Sequence, residues 1–449
     1  MKVKRAMFSQ FAKSFSSVSS EAIGNVLQKV ENSENVTPST EEERKVLRLM
    51  KEVNLVTAKV PGSSAACITM RNEVRALTMP HGVPSFYLTI NPTDTHNPIV
   101  KFLASANIDI DKLLLDNVPS FWEQSILVSS NPTLGVTFFN TYLKVFIRTV
   151  SGFENDDVNE NGGILGVVKA HYGCVEAQGQ GSLHCHMLVW IEGTLNTNEI
   201  WEKVIGDASW GKRLLDYLDD TITNVIPLNP IPDTSTSWDD KDPCTTHGVD
   251  LDQEDTQDHL ALRMKDVNQL AECMQWHRHS HMCYKHYKPG EARTCRFDLK
   301  EENFWPESSI NPQTGQICLR CLDGLVNNFN MTILEAVRCN MDIQYIGSGE
   351  SAKAMIYYIM DYITKSQLKS HIAYATLQLA VKKCEAVDNN DDDFTTHSKC
   401  LLQKCAYALI SHQEMSAQQV VSYLMGYEDN FMSHHFSCLY WVLFEHFVE

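Results

Sequence analysis

Residues 183–190, Leu183-His184-Cys185-His186-Met187-Leu188-Val189-Trp190, restrict the fold more than any other stretch of the chain. A short apolar run that follows the small-residue turn Gly179-Gln180-Gly181-Ser182 reads as a buried strand. Side chains alternate along a strand, so His184 and His186 share one face and their neighbours take the other. Tyr172 to Ala177 supplies the second arm of a hairpin, with Glu176 and Gln178 alternating onto one face. Across the turn these two residues come opposite the histidines. Imidazole nitrogens with a carboxylate or amide oxygen form an open site for Mg²⁺ or Mn²⁺, or for zinc. The expected metal set is His184, His186, Gln178 and Glu176.

Far along the chain, Tyr357-Tyr358-Ile359-Met360-Asp361-Tyr362-Ile363-Thr364-Lys365 reads as a helix that starts near Ser351. A spacing of four puts Tyr358 and Tyr362 on one face, with Lys365 one turn further, placed to pair with a phosphate or lower a phenol's pKa. Ile356, Ile359 and Ile363 form an apolar stripe, so packing alone is the competing account of these aromatic residues. A tyrosyl oxygen that attacks phosphorus keeps one strand end covalently attached and preserves the phosphodiester energy for rejoining. A metal beside it would stabilise the charge that builds during displacement. Histidines that hold a metal, together with paired tyrosines, point to cutting and joining of single-stranded DNA.

The formal net charge of −18 is the main argument against a nucleic-acid partner, because such proteins usually show a basic footprint. Grip on phosphates is local, however, and much of the acid sits in apparent loops: Glu154-Asn155-Asp156-Asp157, Asp239-Asp240 and Asp388 to Asp393. No apolar run reaches the ~20 residues of a membrane helix. Fourteen cysteines without an export signal imply a reducing compartment, with free thiols or metal ligands rather than disulfides. The basic, serine-rich first twenty residues read as an amphipathic start from Phe8 to Phe15.

Hydrophobic content of 43% is ample for a core, and the length favours several sub-domains. The expected organisation is a helical region over 1–80, a sheet core over 81–226, a linker and Cys/His-rich segment over 227–300, a tyrosine-helix part over 301–387, and an acidic loop with a helical tail over 388–449. Strands are expected at Phe86 to Ile90 and Ile164 to Val168, and a helix over 132–150. Gly206-Asp207-Ala208-Ser209-Trp210-Gly211-Lys212 fits the first seven positions of a phosphate-binding loop. Arg213 then stands where a Ser/Thr hydroxyl is needed, and the residues before it look helical, so the match is taken as coincidence.

Cys273, His277, His279, His281, Cys283, His286 and Cys295 crowd into 23 residues. Zinc needs four tetrahedral ligands. The preferred structural set is His279, His281, Cys283 and Cys295. Cys273 with His277 on a helix face, and the Cys318-Leu319-Arg320-Cys321 pair, remain further candidates. Phosphate grip is assigned to Arg293, Arg296, Lys353 and Lys365.

Phe86-Tyr87-Leu88-Thr89-Ile90-Asn91-Pro92, Tyr172 to Gln178 running into Gly181-Ser182-Leu183-His184-Cys185-His186, Cys295-Arg296-Phe297, Asn340-Met341-Asp342-Ile343-Gln344, Tyr358 to Lys365 and Ser433-His434-His435-Phe436 occur in a telling order. In that order the chain resembles the replication-initiator (HUH endonuclease) part of Helitron transposases, called the Helitron helicase-like domain. The resemblance implies His184 and His186 as HUH metal ligands and Tyr358 and Tyr362 as nucleophiles. It implies rolling-circle transposition: nicking, a 5′-phosphotyrosine intermediate and a free 3′ hydroxyl. Gln180 stands where the family usually has arginine, and Asp298-Leu299-Lys300 lacks the usual proline.

The expected fold is α+β: a central antiparallel sheet of HUH-endonuclease type flanked by helices, with a Cys/His zinc-binding insertion and helical terminal parts. The expected partner is single-stranded DNA at transposon ends, in the nucleus, with a helicase acting in trans because the chain is expected to end before one. Two alternatives differ in class. A decayed, zinc-stabilised DNA-binding protein would bind without cutting, and a metal-dependent hydrolase would cut without a covalent step.

Overall fold

The computed structural model describes residues 8–32, 37–92, 97–104, 121–153, 162–177, 182–195, 197–227, 243–245, 257–285, 293–346, 356–357, 359–361, 368–386 and 393–437. The chain forms two compact units, Met1–Arg75 with Met360–Met415, and Ala76–Ile359 with Ser416–Glu449.

The first unit is helical. Ser19 and Thr40 accept the backbone N–H groups of Ala22 and Glu43, and so start the helices Ser20–Glu31 and Glu41–Thr57. Ile23 and Val26 on the first, and Val46, Leu49 and Val53 on the second, recur at helical spacing and are buried. They share a core with Leu377 and Val381 of helix Ser370–Glu385 and with Leu402 and Cys405 of helix Phe394–Ser411. The join spans the sequence: the Ser20 backbone N–H and hydroxyl donate to the Glu385 carboxylate at 2.9 and 2.8 Å, 365 residues away.

The second unit is built on a five-stranded sheet. In chain order its strands are β1 Phe86–Asn91, β2 Val168–Ala177, β3 Leu183–Ile191, β6 Asn340–Tyr345 and β7 Asn430–Met432; a separate hairpin comprises β4 Ser309–Ile310 and β5 Ile317–Cys318. The spatial order is β6-β1-β3-β2-β7, and every neighbouring pair is antiparallel. The fold is therefore α+β, as the sequence led us to expect.

Strand register divides the side chains between two faces. Leu88 pairs with Met187 and Ile343, which sets Phe86, Leu88, Ile90, Cys185, Met187, Val189, Met341 and Ile343 in one core. Phe139 and Leu143 of helix Pro132–Val145, Leu218 of Ala208–Thr221, Leu270 of Gln257–Met274 and Leu334 of Met331–Val337 complete that core. At Gly173 of β2, an added Cβ would come within 2.8 Å of the Cys185 sulfur, so the close packing needs glycine there. The opposite face carries Tyr87, Thr89, Glu176, His184, His186 and Asp342.

Two local expectations are corrected. Residues 163–166 close only an isolated bridge, Gly163 with Gly166, and the strand begins at Val168. The tail is not wholly helical, because β7 adds the sheet edge next to β2. The helix expected over 132–150 is present as Pro132–Val145, which passes into a π-helical turn, Phe146–Val150. The phosphate-loop lookalike joins two helices, Thr197–Gly206 and Ala208–Thr221, with Asp207 as N-cap of the second; no strand leads into it.

Candidate metal centres

The antiparallel pairing of β2 with β3 sets Glu176 directly opposite His184 and Cys174 opposite His186. The Glu176 Oε2 atom lies 3.4 Å from His184 Nε2 and 3.5 Å from His186 Nε2, and the two Nε2 atoms are 2.9 Å apart. Both histidines are buried. His186 Nδ1 is held by the Tyr87 hydroxyl at 2.7 Å and the Thr89 hydroxyl at 2.9 Å. A proton on Nδ1 that is shared with these oxygens leaves Nε2 as a bare lone pair facing His184.

This arrangement fits a cation. Glu176 Oε2 and His184 Nδ1 are buried without a hydrogen-bond partner among the described residues. Three electron-rich atoms facing one another with too few protons repel unless a positive charge sits between them. Ligand atoms that share one ion at about 2.1 Å, at octahedral or tetrahedral angles, stand roughly 3.0–3.4 Å apart, close to the spacings above. Burial works against ionising Glu176, yet where the imidazoles turn protons toward it they hold its carboxyl down to about 2, so this corner favours a carboxylate that faces positive charge. Burial lowers His186 below its ordinary value, which favours the neutral, metal-binding form.

Further along the same face, Thr89 pairs with Asp342 of β6 as well as with His186. Burial raises the Asp342 carboxyl to about 6, against a hydrogen bond from Gln344 at 2.8 Å. Tyr87, Thr89 and Asp342 were not singled out as site residues in the sequence. The signal was available for the first two, since they alternate within one strand.

The second group is His277, His279, Cys283 and Cys295, whose ligand atoms all lie within 4.8 Å of one another. His277 Nε2 is 3.3 Å from Cys283 Sγ and 3.4 Å from Cys295 Sγ. Two nitrogens and two sulfurs suit a tetrahedral ion. The expected His281 is not in this group: it opens the one-turn helix His281–Tyr284 and is exposed. His277 takes the fourth place because Trp276 bridges to Val326 and the His277 N–H donates to Leu325 O at 2.7 Å, which turns the chain toward Cys283. Burial opposes ionisation of the Cys283 thiol, but the Ser280 N–H, with contacts to His279 and Cys295, brings it below its usual value. Cys273 stays on helix Gln257–Met274, Cys318 is exposed, and the Cys321 thiol donates to Asn303 O at 3.2 Å. Neither Cys318 nor Cys321 joins either group among the described residues.

Arg293 and Arg296 lie beside this second group, over the rings of Tyr284 and Phe297. Gln178, Lys353, Tyr358, Tyr362 and Lys365 lie outside the described residues. Near the tyrosines, Ile356 and Ile359 are buried and Tyr357 is exposed, as the apolar stripe implies. No described helix is long and apolar enough to cross a membrane.

Residues 2–189 match the Helitron helicase-like domain at N-terminus, which bears out the family resemblance over that stretch. The match covers β1, β2 and all but the last two residues of β3, and hence Glu176, His184 and His186. No curated protein matches the chain.

Proposed function

We propose that the chain acts in Helitron-type transposition as a nuclease of the HUH kind, nicking and transferring single-stranded DNA through a 5′-phosphotyrosine. One observation carries this reading: Glu176, His184 and His186 converge on a cation-ready point within the stretch that matches the Helitron domain. Mg²⁺ or Mn²⁺ held there would polarise a non-bridging phosphate oxygen of the DNA. The protein's part is to fix that point. β2 and β3 supply the three donors, and the Tyr87 and Thr89 hydroxyls orient His186 from behind.

In the proposed step the Tyr358 or Tyr362 hydroxyl gives up its proton to solvent, and its oxygen attacks phosphorus. The bond from phosphorus to the 3′ oxygen breaks, and that oxygen leaves with the electron pair and takes a proton. The 5′ phosphate stays on the tyrosine. A later 3′ hydroxyl reverses the exchange, and the second tyrosine serves strand transfer. Lys365 would pair with the phosphate or favour the phenolate. Gln178 is an added oxygen donor for the ion, and Lys353 a phosphate contact. Zinc at His277, His279, Cys283 and Cys295 would be structural, and a DNA substrate implies the nucleus.

Incubating the protein and Mn²⁺ with single-stranded DNA, then resolving covalent adducts on a denaturing gel, tests this. Wild type traps DNA, and the double variant Tyr358→Phe/Tyr362→Phe does not. Cleavage that survives loss of both tyrosines means hydrolysis without a covalent step. Gln180 and the Asp298-Leu299-Lys300 stretch, both departures from the family pattern, favour a second reading: a zinc-stabilised DNA-binding protein that no longer cuts. DNA binding without adducts under several metals supports that one.

A further inference from the structure

Beside the Cys283 and Cys295 thiols, the half-buried Tyr284 ring and the exposed Phe297 ring stand with two exposed guanidinium groups, those of Arg293 and Arg296. Arg293 lies 4.3 Å from the centre of the Tyr284 ring and Arg296 lies 4.4 Å from that of Phe297. Phe297 is 50% exposed, too open to be a core residue. Its ring centre lies 5.5 Å from that of His277, and the Arg296 N–H donates to Cys283 O at 3.0 Å. The metal-ready cluster therefore fixes both the ring and the arginine. Phe304 and Trp305, further along the same loop-rich stretch, are exposed as well.

Charge separates this patch from the rest of the chain. Against a formal net charge of −18, the described residues from 276 to 300 carry Arg278, Lys285, Arg293, Arg296 and Lys300. Asp298 is their one described acid, and it pairs with Lys300 at 3.2 Å. Neither Arg293 nor Arg296 has a carboxylate partner among the described residues. Glu301 and Glu302 bound the patch on its C-terminal side. An arginine stacked flat on a ring still has N–H groups at its edge for phosphate oxygens. Exposed rings beside such cations bind unpaired bases, because every base offers a π face. Duplex DNA hides those faces.

We propose that Tyr284, Arg293, Arg296 and Phe297, beside the Cys283 and Cys295 thiols, form a stacking platform for single-stranded DNA, with Phe297 and Tyr284 taking bases and Arg293 and Arg296 taking phosphates. It deepens the nuclease reading by naming a second grip on the same substrate, built from residues other than the proposed cutting centre and indifferent to base sequence.

Anisotropy of fluorescein-labelled dT20 with the full chain, zinc retained and no Mg²⁺ or Mn²⁺ added, tests it. Phe297→Ala is expected to weaken binding about 5- to 100-fold, and Phe297→Trp to restore it. Arg293→Ala/Arg296→Ala should lower the slope of log affinity against log salt by about 1.4. The dT20·dA20 duplex should bind more weakly than dT20. Zinc content and circular dichroism check folding, and if Phe297→Ala releases zinc, the arginine pair decides. Unchanged dT20 affinity and salt slope in the folded variants overturns the platform, as does equal loss on duplex. Absence of oligonucleotide binding by wild type, as a protein-docking surface would give, also overturns it. Covalent adducts with Phe297-independent binding would remove the platform alone, whereas Phe297-dependent binding without adducts would remove the nuclease alone.

Discussion

Glu176, His184 and His186 are positioned by strand register, whereas His277, His279, Cys283 and Cys295 are positioned by a chain with little regular structure. Behind the first group, β2 and β3 pair along almost their whole length and the opposite face is a filled apolar core. Around the second stand a one-turn helix, isolated bridges at Trp276 and Trp305, and the two-residue strands β4 and β5. A sheet can hold three ligands apart and ready without an ion. A loop that brings two thiols and two imidazoles together needs the ion to repay its ordering entropy. The proposed reading therefore assigns an exchangeable, working metal to the first site and a permanent one to the second.

The largest expected effect separates the two. Cys283→Ala should abolish zinc at the cluster, where structural zinc contributes on the order of 10 kcal/mol or more of apparent binding free energy at neutral pH. Zinc analysis with limited proteolysis checks it: cleavage within 276–321 should appear while the sheet core still melts cooperatively. A variant as resistant as wild type would show that this segment stands without metal.

Acid probes the sheet side. Burial pulls the His171 imidazole in β2 down to about 4 from an ordinary 6.5. The unfolded chain therefore binds the extra proton first. Stability is complete above about pH 6.5 and falls as pH drops toward 4, by roughly 3 kcal/mol. Urea unfolding at several pH values should show this slope, and His171→Phe should flatten it.

At the proposed centre, Glu176→Gln should cut adduct yield about 100-fold while the protein stays folded and keeps its zinc. A matching loss of melting temperature would make Glu176 a structural residue. The smallest effect is expected one layer out. Thr89→Val removes one of the two hydroxyls on His186 Nδ1 and should weaken Mn²⁺ binding about tenfold, read by calorimetry.

The same contrast explains what could be read in the sequence. Period-two alternation placed His184, His186 and Glu176 on one face, because register follows from residues that are close in sequence. Fold class followed from the same strands and from capped helices such as Ser20–Glu31. The ligand His277 escaped because its orientation depends on Leu325 and Val326, remote pairing partners that no local pattern announces. β7 escaped for a similar reason: three residues, partly buried, are strand only because β2 lies beside them. Asp342 stands in a recognisable stretch, but its raised pKa comes from burial across β1 and β6.

Electron paramagnetic resonance of Mn²⁺ titrated into zinc-loaded protein tests the central claim most directly. Wild type should bind one ion, with nitrogen coupling from imidazole, and the double variant His184→Ala/His186→Ala should leave Mn²⁺ free while it retains its zinc. Equal Mn²⁺ binding by both proteins would contradict a metal centre on this sheet.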